Sequence, residues 1–100
     1  MKHETEFGNF LRAEKRSART KQPFSAKVAS DTVSRCRMVE RALEIELSAR
    51  TLGTESGAQK VTGAIKAIRL GATERRQYAY NEHILAVRIY REFLAWRGEV

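Results

Sequence analysis

Apolar residues recur along this chain at spacings of three and four and nowhere in sustained alternation, so the pattern predicts helices and no sheet. Phe7, Phe10 and Leu11 form the first apolar face, on a short helix from Glu4 to about Lys15, with Thr5 near its start. Residues 16–24 hold the only proline, Pro23, which drives Gln22 toward extended or turn backbone, so this stretch reads as a basic linker. Ser25 is placed to cap a second helix running to about Glu46. At 100° per residue Ala29, Thr32, Cys36, Val39 and Leu43 share one arc of it, with Val28 and Val33 at the margins. Lys27, Asp31, Ser34, Arg37, Met38 and Arg41 fall on the opposite arc, with Met38 expected beneath the arginine side chains.

The segment LSARTLGTESG, residues 47–57, has the composition of a loop. A third helix is predicted from about Glu55 to Leu70, with Val61, Ala64, Ile65 and Ile68 buried, Gln59, Thr62 and Lys66 outward, and Gly71 as a left-handed stop. Thr73 is placed to cap a short helix over TERRQYAY, and Asn81 to open the last helix, about 82–97. Ile84, Leu85, Val87, Ile89, Tyr90, Phe93, Leu94 and Trp96 occupy most of that helix's circumference and leave only a strip of Arg88, Arg91, Glu92 and Ala95. A helix apolar nearly all round is a central one. The expected architecture is therefore all-α, a compact bundle of four or five helices around the C-terminal helix, ended by Gly98.

Length narrows this further, because 100 residues suit one domain with one core, here taken as 1–100. No apolar run reaches the roughly 18–20 residues of a membrane helix, and the N-terminal residues lack a signal-peptide pattern, so no membrane association and a cytoplasmic location are expected. Cys36 has no disulfide partner, and His3 and His83 lie too far apart for a zinc site of ordinary spacing. Cys36 is read as a small core residue, and no metal or cofactor is expected. There is no phosphate-binding glycine loop, no G-x-S-x-G, no H-E-x-x-H and a single aspartate, Asp31, so no catalytic residues are assigned and a non-enzymatic protein is expected.

Charge supplies the positive signal. Nineteen Lys and Arg against twelve Asp and Glu give a net +7, concentrated in two blocks. Residues 12–21 set Arg12, Lys15, Arg16, Arg19 and Lys21 against Glu14, and residues 60–76 set Lys60, Lys66, Arg69, Arg75 and Arg76 against Glu74. Each block carries +4, whereas residues 27–46 and 82–99 balance to zero. Two concentrated blocks form one field if the fold joins them. Thirteen of the nineteen cations are Arg, whose planar fork matches phosphate oxygens and the guanine edge, so nucleic acid is the expected polyanion.

The FxxFL segment at residues 7–11, DTVSRCRMVERAL at 31–43 and the closing HILAVRIYREFLAWR at 83–97 resemble the SAM-like core-binding domain of tyrosine recombinases and phage integrases. The resemblance spans about residues 7–97. It implies a four- or five-helix module that clasps duplex DNA opposite a catalytic domain, with Lys27, Arg37 and Arg41 on the second helix and Lys60, Lys66 and Arg69 on the third as contacts. The family's catalytic set belongs to a second domain, and His83 with Arg88 lacks its His-x-x-Arg spacing, so Tyr78, Tyr80 and Tyr90 are not assigned as nucleophiles.

The expectation is a non-catalytic module that binds duplex DNA through Arg12, Lys15, Arg16, Arg19, Lys27, Arg37, Arg41, Lys60, Lys66, Arg69, Arg75 and Arg76. Two rivals stand beside it. One is a protein-interaction or self-associating helical bundle (a homo-oligomer), motivated by Tyr78, Tyr80, Tyr90 and Trp96 as amphipathic rings suited to interfaces. The other is the N-terminal domain of a longer recombinase or nuclease.

Overall fold

The computed structural model describes residues 1–17 and 20–100. In chain order these form α1 (Glu4–Ala13), α2 (Ala26–Leu43), α3 (Ala49–Leu52), α4 (Glu55–Ile68) and α5 (Tyr80–Trp96). The fold is all-α, as the periodicity predicts. Among the described residues there is no strand, only an isolated antiparallel bridge between Arg16 and Pro23 where the basic linker doubles back.

The architecture follows from α5. Its buried residues are Tyr80, His83, Ala86, Val87, Ile89, Tyr90, Phe93 and Leu94, more than one helix stripe, so a single neighbour cannot cover them. Two flanks do. α2 and α4 make the most extensive contacts with α5, α1 packs on α2 and reaches α5, and α3 packs on α4. From α2 the buried Ala29, Thr32, Cys36 and Val39 face the core, and from α4 Val61 and Ile65 do so. The Cys36 thiol donates to the carbonyl of Ala86 at 3.4 Å. Burial pushes this thiol well above its ordinary pKa, with Glu40 adding to the shift, so it stays protonated as a core group.

Aromatic rings join α1 to α5. Phe7 meets Tyr90 edge-on at 5.0 Å and Phe93 at 5.3 Å, and Phe10 lies 5.4 Å from Phe93 and 5.3 Å from Trp96. Such pairs contribute about 0.5–1.5 kcal/mol each beyond the area they bury. The Tyr90 hydroxyl donates to the Lys2 carbonyl at 2.8 Å, so the ring's polar end is satisfied where its body is buried.

Local chemistry sets the helix ends. Ser25 Oγ accepts from the Val28 amide at 3.2 Å and Thr54 Oγ1 from the Gly57 amide at 3.0 Å, each satisfying an N-terminal donor. α2 stops at Leu43, earlier than the predicted Glu46, because Glu44 turns left-handed at φ 55°. α1 likewise ends at Ala13, two residues before Lys15. The predicted loop at 47–57 contains α3, a single turn held by a Ser48–Thr51 capping box that buries Leu47 and Leu52.

Three further expectations are corrected. TERRQYAY forms no helix of its own: the Thr73 hydroxyl does accept the Arg76 amide at 3.0 Å, but this closes a turn, and Tyr80 already belongs to α5, which starts ahead of Asn81. Arg69, not Gly71, takes the left-handed position that ends α4, while Gly71 at φ 78° carries the chain past His83. A Cβ on Gly71 would stand 2.5 Å from His83 Cε1. His83 is itself buried, with Nδ1 3.3 Å from the Ala79 carbonyl and therefore the protonated nitrogen of that contact. Finally, Ile68, Leu85 and Trp96 are exposed rather than buried, and Met38 is not covered by its arginine neighbours.

Phe93 touches every ring of the α1–α5 cluster, so Phe93→Ala is expected to cost about 3–5 kcal/mol in urea unfolding. Leu85→Ala, on the uncovered edge of the same helix, should stay within about 0.5 kcal/mol. Equal losses in the two variants would contradict the packing described.

Candidate nucleic-acid interface

The fold separates the two basic blocks. α1, which leads into the first, packs on α2 and on the C-terminal half of α5, where Lys15 Nζ meets Glu92 Oε2 at 2.7 Å. α4, which opens the second, runs toward the start of α5, so that Lys66 lines a groove with Asn81, Ile84 and Leu85. Eight residues along α5 separate Ile84 from Glu92, about 12 Å of helix. The two blocks therefore sit against opposite ends of α5.

Acidic partners divide the twelve candidates. Lys15 pairs with Glu92, Lys27 with Asp31 at 3.0 Å, Arg37 with Glu4 at 3.5 Å, and Arg76 with Glu82. Arg12 bonds Asn9 and the Gly8 carbonyl, Arg16 bonds the Ala13 carbonyl, and Arg41 stands exposed on α2. Arg19 lies outside the described residues. In the second block Lys60, Lys66, Arg69 and Arg75 have no acidic partner among the described residues.

That block is extended by a residue the charge partition did not assign. Arg88 is exposed on α5 and lines the same groove as Lys66, which α4 lines with Gln59, Thr62 and Gly63 as well. Its sequence signal was its place in the polar strip of an otherwise apolar helix, which predicts exposure but not a neighbour on α4. The outward side of α4 carries Ser56, Gln59, Lys60, Gly63, Lys66 and Ala67, and no acidic residue occurs between Glu55 and Glu74. A Cβ at Gly63 would meet nothing within 4 Å, so the protein interior places no demand for glycine there.

Arg69 has a second task. Its Nη2 donates to the Gln77 carbonyl at 2.9 Å and its guanidinium carbon lies 5.4 Å from the centre of the Tyr80 ring. It thereby fixes the turn between α4 and α5 while keeping its charge at the surface.

At the other end of the groove the charges cancel. Arg91 Nη1 bonds Glu55 Oε2 at 2.9 Å and its Nε bonds the Leu52 carbonyl at 2.8 Å, tying α5 to the end of α3 and the start of α4. The floor there is apolar, with Leu52, Ala58, Val87 and Ala95. The groove is thus neutral and apolar toward Glu55 and cationic toward Lys66, which suits an anion at one end only.

No protein-family model, curated protein or solved structure matches the chain.

The hydrogen bond from Arg91, reinforced by its charge, holds the Glu55 carboxyl below the usual glutamate range. Because the folded pKa is the lower one, the pair's stabilisation is present above the unfolded carboxyl pKa and is lost as pH falls through the folded value. In an NMR titration Arg91→Met should move the Glu55 midpoint upward toward an ordinary glutamate, and an unmoved midpoint would show that the pair does not form in solution.

Proposed function

We propose that the protein is a non-catalytic nucleic-acid-binding module, with duplex DNA as its ligand, that engages phosphates through α4, the turn after it and the facing edge of α5. The observation that carries this reading is the run of Lys60, Lys66, Arg69 and Arg75 with no acidic partner among the described residues, joined by Arg88 on the facing edge of α5, against an α1–α2 side where Lys15, Lys27 and Arg37 are ion-paired. Phosphates would displace only water and counterions from the first set but would have to compete with carboxylates at the second. The resemblance to core-binding domains supports the same ligand class and shares Lys60, Lys66 and Arg69 with this surface. A cytoplasmic location belongs to the same reading. No helix among the described residues is long and apolar enough to cross a membrane.

A second reading, self-association or binding of a protein partner, rests on Ile68 and Leu85, 52% and 55% exposed beside the same cations. It predicts a dimer by light scattering that survives high salt, together with no binding of DNA.

The expected duplex affinity lies in the nanomolar to micromolar range at about 50 mM salt, falling steeply as salt rises. Arg69 also anchors a turn, so the cleaner test is Lys60→Glu/Lys66→Glu/Arg88→Glu. This variant should retain its circular dichroism, lose at least about 100-fold in affinity, and show a salt slope shallower by about 3 on log–log axes. Lys27→Glu should stay within about twofold of wild type. Unchanged affinity in the triple variant, or no binding by the wild type, would defeat the proposal.

A further inference from the structure

Tyr78 has no role in the packing described above. It is the most exposed large ring in the protein, 67% open to solvent, and it stands in the turn between α4 and α5. A tyrosine this exposed gains little from burial, yet the turn that presents it is held from several sides. Thr73 and Arg76 exchange backbone hydrogen bonds at 3.2 Å, Arg69 holds the Gln77 carbonyl, and the Tyr78 carbonyl accepts from the Asn81 amide at 3.0 Å. Next in line the buried Tyr80 lies 6.2 Å away, centre to centre, with its ring tilted 59° to that of Tyr78. The Tyr78 backbone is therefore ordered by its neighbours before any ligand arrives, which removes much of the entropy cost of using the ring.

The charges around the ring indicate the ligand. Arg69 and Arg75 lie on the same turn without acidic partners, Arg76 is neutralised by Glu82, and Glu74 is the one carboxylate between Arg69 and Tyr78. An exposed ring on a held backbone, near guanidinium groups without acidic partners, is the pairing that single strands require, with cations for the phosphates and a flat apolar face for a base. Duplex DNA offers the same phosphates but keeps its bases stacked on one another. An acidic peptide would use the cations equally well and gain far less from the ring.

We propose that Tyr78 is a stacking platform for an unpaired nucleobase, so that strands with accessible bases bind this surface more tightly than phosphate charge alone dictates. The proposal rests on the nucleic-acid reading above and deepens it by naming the form of strand preferred at the turn.

The test compares a thymidine oligonucleotide with an abasic strand of equal length and charge, by fluorescence anisotropy at fixed salt. The wild type should bind the base-bearing strand about tenfold more tightly than the abasic one. Tyr78→Ala should bind both at the abasic level, Tyr78→Phe should keep the preference because stacking needs the ring and not its hydroxyl, and duplex affinity should change by less than about twofold. Loss of both strands in Lys60→Glu/Lys66→Glu/Arg88→Glu should accompany this pattern. Equal affinity of the wild type for the two strands, or a preference that survives in Tyr78→Ala, would overturn the stacking role while leaving phosphate binding intact. Failure of the wild type to bind any strand or duplex would overturn both.

Discussion

The structure depends on covering α5. That helix carries buried side chains around about half of its circumference, and an exposed apolar helix of this kind would be a site of aggregation, so helices must close on it from two directions. The α1–α2 flank does so with rings and the Cys36 thiol, and the α4 flank with Val61 and Ile65. Arg91 then secures the second flank, joining the Leu52 carbonyl and the Glu55 carboxylate to α5. Because α4 spends its apolar side on α5, its other side faces solvent, and the residues placed there are Gln59, Lys60, Gly63 and Lys66. The candidate surface is a consequence of how the core is closed.

Much of this was legible in the sequence because it is local or periodic. The stripe Ala29, Thr32, Cys36, Val39 and the cap at Ser25 follow from spacing and from one hydroxyl, and both are in place. What spacing could not reveal is where coverage ends. Ile68 and Leu85 continue apolar stripes, but α4 terminates three residues after Ile65, its last buried residue, and α5 has one edge that its neighbours leave uncovered, so both side chains remain open. The short α3 escaped notice because four residues carry no period. TERRQYAY failed as a helix for a related reason: a single capping bond does not offset the cost of nucleating so short a segment, and its last residue is claimed by α5.

Electrostatics was the least legible level. Adding charges along the chain found both basic blocks, but it could not show that Lys15 would meet a glutamate 77 residues away, or that Arg88 would join Lys66 across a groove. Ion pairs of large sequence separation, Lys15–Glu92 and Arg37–Glu4, are set by the tertiary fold, and with local pairs such as Lys27–Asp31 they decide which cations are left for a ligand. The first block is drawn in part into the protein's own pairing, and the second is left available.

The central claim is therefore one of location: the second block and its extension on α5 form the ligand surface. Backbone-amide NMR spectra recorded during titration with a short DNA duplex at low salt test it most directly. The account predicts that shifts concentrate on residues 59–78 and around Arg88, with α1 and the outward face of α2 unmoved. Shifts centred instead on Lys27, Arg37 and Arg41, or spread evenly over all exposed cations, would contradict it.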